Sequence, residues 1–326
     1  MPSLATRYMN LNISNPIIVA SSGLTNSVDK ILACEEAGAG AIVIKSLFEE
    51  VLAKADWGLT EAAPYHPEAH DYLNAQIQLQ YGPRDYCDLI SEAKSKAHIP
   101  IIASINCISA KWWVEFASKI ANAGADALEL NIFRIPADPE VDSATSEKMY
   151  FDVLDSVKAK IDLPIAMKIG KNFTSLPHLL SQLDKRGLDA VVMFNRFTEP
   201  DIDIHNLKMR TTFSFSSKEE IHTLLRWIAL VAPNISCDIS ATTGIHTFEG
   251  IIKLILAGAS TVQIASVLYK RGLSVIKEMK DQITQWMTTY HLERIEDFRG
   301  RVGFSPEYDP DIYLRAQFME KIRGIE

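Results

Sequence analysis

An α/β protein, specifically a (β/α)8 TIM barrel with insertions in the loops after strands 2 and 6, is what three features of this 326-residue sequence predict. Eight short apolar runs recur along the chain, helical stretches lie between them, and several helices end in Gly or Gly-Ala just before the next run. Runs this short, rich in Val and Ile and almost continuously apolar, belong to strands buried on both faces, as in a parallel sheet. Eight strand–helix units are the arithmetic of a closed barrel. The rival is a doubly wound open sheet. It would carry G-x-G-x-x-G after its first strand, and SSGLTN stands there instead.

Taken in order, the first run is 16–21 (PIIVAS), and its helix closes on AGAG before 41–46 (AIVIKS). Glycine there supplies the left-handed turn that sends the chain back to the sheet. Residues 47–83 are too many for a plain βα loop and form the first insertion. Next come 100–106 (PIIASIN), a helix expected over 111–123, and 127–132 (ALELNI). Runs 164–169 (PIAMKI) and 190–195 (AVVMFN) follow, then a second insertion at 196–217. The last two units are 235–241 (ISCDISA) with a helix over 248–257, and 261–266 (TVQIAS). A helix over about 273–290 and a tail to Glu326 complete one expected domain, 1–326.

Hydrophobic residues make up 47% and charged residues 23%, which excludes disordered, collagen-like and disulfide-scaffold classes. With 33 basic and 41 acidic residues the net charge is −8, so a polyanion meets net repulsion and no nucleic acid partner is expected. The four cysteines, at 34, 87, 107 and 237, have no metal-type spacing and are too sparse for a disulfide framework. A reduced, cytoplasmic setting is expected. The N-terminus lacks the basic and apolar regions of a signal peptide, and no apolar run reaches the ~18–20 residues of a membrane span.

Chemistry in a barrel lives where strands end and βα loops begin. Those positions hold Ser21 and Ser22, Lys45 and Ser46, Asn106, Asn131, Lys168, Asn195, Thr242 to Gly244, and Ser266. Two lysines and three asparagines closing apolar runs describe a polar pocket with an apolar floor. The seventh and eighth units end in SATTGIHTFEG and QIASVLYKRG. Small residues between a strand and a helix start let backbone N–H groups approach an anion, which marks the barrel phosphate site.

These segments together (ASSG, KS, ELN, MKI, TTGI, GAxxVQIAS and the closing HLERIEDFRGRV) resemble class 1 dihydroorotate dehydrogenases over nearly the whole chain. The resemblance implies an FMN enzyme that moves hydride between dihydroorotate, or a related small planar CH–CH substrate, and flavin N5. It implies that Ala20, Ser21 and Ser22 lie along the flavin, with Lys45 between flavin and substrate and Ser46 and Asn106 on the cofactor. Lys168 would stand by N1 and the C2 carbonyl, where a cation favours the reduced flavin. Asn131 and Asn195 would hold the substrate, Asn131 touching the cofactor as well. Thr243, Gly244, Ala265 and Ser266 would grip the phosphate. Lys45 and Lys168 are thus the candidate catalytic residues. The acceptor implied is fumarate, or NAD through a partner subunit. A homodimer is the expected assembly, with a role in pyrimidine biosynthesis.

The pattern breaks on the substrate side. The family carries Asn-x-Ser-Cys-Pro-Asn after strand four, where the cysteine is the base. Here the stretch is Asn131-Ile-Phe-Arg134-Ile-Pro136-Ala-Asp138. Arg134 occupies the expected cysteine position, and a guanidinium has no lone pair with which to take a proton. Its fork suits a carboxylate instead. The general base is left unknown, with Asp138 and Ser143 the nearest alternatives. In the loop after strand two, Asn74 and Gln76 stand where the family grips orotate, and the strand-seven turn is ATTG where GTGG is usual.

His66 and His70, four apart, lack a third metal ligand by spacing, and His246 reads as a helix-start residue. Cys107 reads as buried filler, Trp112 and Trp113 as packing, and KEEIH at 218–222 as a solvated first helical turn. Two other functions stay open: a flavin-binding partner subunit or sensor without dihydroorotate turnover, and a flavin-free lyase using Lys168 or Lys45 as a Schiff base.

Overall fold

Residues 1–49, 83–107, 110–132, 134–196, 200–211 and 214–303 are described by a computed structural model. The apolar runs form parallel strands β1 (Ile17–Val19), β2 (Ala41–Val43), β3 (Ile101–Asn106), β4 (Ala127–Asn131), β5 (Ile165–Ile169), β6 (Ala190–Met193), β7 (Asp238–Thr242) and β8 (Thr261–Ile264). Each pairs with its successor, and β8 returns to β1 through Val262 opposite Ile17 and Ile264 opposite Val19. The sheet is closed, and the (β/α)8 expectation holds.

Helices α1 (Val28–Glu36), α2 (Pro83–Lys96), α3 (Ala110–Asn122), α4 (Ser143–Lys158), α5 (Leu176–Lys185), α6 (Ile221–Val231) and α7 (Phe248–Ala257) follow the first seven strands. After β8 come a short α8 (Ser266–Arg271) and α9 (Val275–Thr289). In α3, Trp113, Phe116, Ala117 and Ile120 are buried, the i, i+3, i+4, i+7 stripe of a helix lying on a sheet. The Thr247 hydroxyl accepts from Gly250 N–H and caps α7. No helix among the described residues is long and apolar enough to cross a membrane.

Strand alternation divides the core into two shells. Outward residues such as Ile17, Val19, Ile42 and Ile101 join the helices in one cluster. Inward residues Ile18, Ala41, Val43, Ile102, Ala127, Ala166, Ala190 and Val192 fill the lumen, where alanine is the frequent size because the strands converge. A hairpin of strands Thr6–Tyr8 and Leu11–Ile13 plugs the N-terminal mouth with Tyr8, Met9 and Ile13. Among the described residues, the opposite mouth is the one left open for a ligand.

The first insertion starts with a two-residue strand, Leu47–Phe48, paired beside β3, and Asn74, Gln76, His66 and His70 fall in 50–82, outside the described residues. The second insertion contains an antiparallel hairpin, Pro200–Asp203 with Lys208–Thr211. The seventh strand begins at Asp238 rather than 235. Ser236 and Cys237 give their N–H groups to the Asp184 carboxylate at 3.1 and 2.7 Å, so they bind α5 rather than the ladder. Desolvation works to raise the Asp184 pKa, but those bonds outweigh it and hold the carboxyl below its ordinary range.

The glycines that close α1, α3, α5 and α7 have positive φ: Gly38 (95°), Gly124 (90°), Gly187 (76°) and Gly258 (125°). Gly40 serves otherwise. A Cβ there would stand 2.1 Å from the Asn15 carbonyl oxygen, because Gly40 N–H bonds Ile17 O as the chain squeezes into β2. Gly40→Ala is expected to cost at least about 3 kcal/mol, since backbone must move on both sides. Equilibrium urea unfolding checks this, and a loss below ~1 kcal/mol contradicts it.

Candidate active site

The strands end on polar side chains because inward positions run out of lumen to fill there. Glu129 and Asn131 share the inward face of β4, and Asn131 lies opposite Lys168 of β5. These groups are buried, and hydrogen bonds satisfy most of them. Asn195 Nδ2 donates to Asn131 Oδ1, and Asn131 Nδ2 donates to Ser46 Oγ at 3.4 Å. Ser46 Oγ lies 3.0 Å from Ser21 Oγ and 2.8 Å from Ser104 Oγ. Ser104 Oγ donates to Glu129 at 3.4 Å, and Gln263 Nε2 donates to the other Glu129 oxygen at 2.8 Å. This chain of amides, hydroxyls and one carboxylate crosses the barrel from β6 to β8 and holds its members in fixed rotamers. Gln263 Oε1 remains a buried acceptor with no donor.

Above this layer opens a cleft of ≈ 210 Å³. Ala20, Ser21, Lys168 and Asn195 line it together with Thr243, Gly244, Ala265 and Ser266. Lys168 is 8% exposed, yet its ammonium has no hydrogen bond or ion pair among the described residues. Burying such a cation unpaired is costly, so the position calls for an electron-rich guest. The turn after β7 puts Thr243 (φ 85°) and Gly244 (φ 75°) in consecutive left-handed conformations. The backbone N–H groups of Thr243, Gly244 and Ala265 donate to no acceptor among the described residues. Successive donors of this kind form an anion cradle.

The third wall, which sequence reasoning missed, comes from the two ends of the second insertion. Arg196 borders the cleft, and its guanidinium is tied to Glu220 Oε2 (3.0 Å) and Ser214 Oγ (3.1 Å). Phe215 stacks on Tyr269 at 5.4 Å. Ser216 gathers three partners: His246 Nε2 at 3.0 Å, Lys270 Nζ on its carbonyl at 2.8 Å, and the Ser266 hydroxyl on its N–H at 3.2 Å. Burial first, then the Lys270 charge, pushes the His246 pKa below its usual 6.5, so a neutral ring faces Ser216. Glu220, part of the expected solvated turn, also accepts from Ser217 N–H and caps the 3-10 turn Lys218–Glu220 that leads into α6. The serine–aromatic alternation FSFSS and the lone charge inside LEL were the available signals for Phe215, Ser216 and Glu129.

Other candidates fall around this cleft. Lys45 is half-buried at the end of β2, its N–H on Thr25 O at 3.3 Å, and Asn106 is buried at the end of β3. Ser22 turns into the Thr25 hydroxyl, its N–H donating to Oγ1 at 3.3 Å. None of the three borders the cleft. Arg134 is exposed and turns toward α4, with Nη1 3.2 Å from Met149 Sδ, and it shares a different cavity with Ser143. Asp138 is exposed, and its carboxylate caps Glu140 N–H at 3.0 Å. Cys107 and Trp113 are buried, and Trp112 stacks on Phe116 at 5.5 Å.

Comparison with known proteins gives this geometry a family. The profile described as Dihydroorotate dehydrogenase matches residues 3–287. A protein of Thermoplasma volcanium named dihydroorotate dehydrogenase B (NAD(+)), catalytic subunit, is 26% identical over 317 residues, covering 92% of this chain and 98% of its own. Its counterpart in Thermoplasma acidophilum is 27% identical over 317 residues, at 92% and 99% coverage. A Methanocaldococcus jannaschii protein of the same name is 26% identical over 303 residues, at 89% and 95%. With the profile spanning barrel, strand-end residues and both last turns, the chain belongs to the dihydroorotate dehydrogenase family.

Proposed function

We propose that the protein is an FMN-dependent oxidoreductase acting on dihydroorotate or a related small planar CH–CH substrate. The observation that carries this reading is the buried ammonium of Lys168, unpartnered among the described residues, lining the same cleft as the open N–H groups of Thr243, Gly244 and Ala265. A flavin mononucleotide fits that pair of features: an electron-rich ring at the cation and a phosphate at the N–H cradle. When bound, FMN supplies the two-electron acceptor that takes hydride from carbon.

The residues have separable tasks. Lys168 holds a fixed positive charge where reduction adds electron density, so it costs no reorganisation when the reaction occurs. Thr243, Gly244, Ala265 and Ser266 hold the phosphate, and Ala20 and Ser21 lie against the ring. Asn195 and Asn131, locked together by their own hydrogen bond, present amide groups to the substrate. Lys45, Ser46, Ser22 and Asn106 stand at the ends of β1 to β3 behind the cleft lining, and Ser46 acts through its hydrogen bonds to Ser21 and Asn131. The names of the relatives favour NAD as final oxidant through a second subunit, and a homodimer of this chain is the proposed core assembly.

An absorption spectrum of the purified protein, then anaerobic titration with dihydroorotate, tests this. A yellow protein bleached by dihydroorotate is expected. A colourless protein that takes up no added FMN overturns the reading. Substrate adducts trapped on lysine by borohydride would then support a Schiff-base lyase.

A second reading has its own support: no carboxylate, imidazole or thiol borders the cleft among the described residues, while Arg134, Asp138 and Ser143 lie away from it. A family member with flavin but without a proton acceptor would bind the cofactor and not turn over dihydroorotate. A yellow protein bleached by dithionite but not by dihydroorotate selects it.

A further inference from the structure

A second cavity, of ≈ 190 Å³, lies between the loops that follow β4 and β5 and shares no lining residue with the cleft. We propose that it binds a small zwitterionic amino acid with an apolar side chain. Two opposite charges border it. Arg134 has five N–H donors, and the only acceptor engaged among the described residues is the Met149 thioether, a weak one. Glu147 borders the same cavity and makes no ion pair within 4.0 Å among the described residues.

The third polar group is Tyr150, 4% exposed, whose ring meets Phe173 edge-on at 5.3 Å. Its hydroxyl has no hydrogen-bond partner among the described residues although it borders the cavity. Burial drives its pKa to about 12, with Arg134 pulling the other way, so the hydroxyl is a proton donor at neutral pH. The Tyr150 hydroxyl and the exposed Arg134 guanidinium both border the cavity, so one carboxylate can accept from the two together.

The pairing of charges selects the ligand class. A bare carboxylate would suit Arg134 and Tyr150 but meet repulsion from Glu147. A bare amine would suit Glu147 and be repelled by Arg134. A molecule with both groups on one carbon satisfies all three. Pro136, Val141 and Phe173 supply the apolar wall for its side chain.

Calorimetric titration of the full-length protein with L-leucine, 4-methylpentanoate and 3-methylbutylamine tests the inference. L-leucine should bind, and the compounds lacking the amine or the carboxylate should bind at least about tenfold more weakly. Arg134→Gln and Glu147→Gln should each weaken L-leucine by about tenfold or more, and Tyr150→Phe by severalfold, with the circular-dichroism spectrum retained. No binding of L-leucine, L-methionine or L-phenylalanine at millimolar concentration overturns the proposal. So does 4-methylpentanoate binding as tightly as L-leucine, or a wild-type affinity in both charge variants. The flavin spectrum enters none of these outcomes, so this site and the cleft are judged separately.

Discussion

Lys168→Met is expected to yield protein that loses FMN on purification or, where FMN is retained, is reduced about 100-fold more slowly. The lysine stands at the end of β5, 8% exposed, opposite Asn131 and bordering the cleft without a partner. Methionine keeps most of its volume and removes the charge. Because a buried cation with no counter-charge strains the empty protein, the same change should leave the thermal midpoint of the flavin-free protein equal or higher. That sign separates a ligand-directed lysine from a structural one, whose loss would lower the midpoint. A variant that keeps FMN and is reduced at the wild-type rate removes Lys168 from the reaction. Flavin absorbance per protein and stopped-flow reduction supply both readouts.

Gly244→Ala should cost about 2–4 kcal/mol and empty the cleft with it. Its φ of 75° already disfavours a side chain, and the added Cβ would stand 2.6 Å from the Ile221 backbone nitrogen and 3.0 Å from the Glu220 carbonyl carbon. Neither is the tip of a flexible side chain. Either α6 or the turn after β7 must move, and that turn carries the open N–H groups proposed for phosphate. Gly124→Ala is the internal control. Its φ is 90°, but nothing lies within 4 Å of the added atom, so only the conformational cost of ~1 kcal/mol remains. Urea unfolding of the two variants should differ by at least about 1 kcal/mol, and equal midpoints would refute the close-contact argument.

Part of the candidate site was legible because strand periodicity is local. A lysine or asparagine closing an apolar run sits at a strand's C-terminal end wherever the strand goes, so Lys168, Asn131 and Asn195 could be read directly. The small-residue turns at Thr243–Gly244 and Ala265–Ser266 were legible for the same reason. Arg196, Phe215 and Ser216 were not, because nothing short-range says that the two ends of a long insertion meet and that its last residues fold back onto α8 and the turn after β7. The direction of Arg134 was equally hidden. Aligned without a gap it takes the place of a base, yet Asp142 caps Thr145 N–H at 2.7 Å and starts α4 where Arg134 lies along Met149.

By itself, then, the order of apolar runs and glycine stops determined a closed parallel barrel, because burial on both strand faces and right-handed crossovers leave few other ways to hide eight such runs. It also determined which mouth carries the polar groups. Tertiary structure alone decided which of those groups meet: the Asn195–Asn131–Ser46–Ser21 chain joins four strands, and the Gly244 contact with α6 joins two loops. Such meetings depend on how packed layers and loops settle in three dimensions, and residues 85 or 64 apart in the chain have no local pattern that records it.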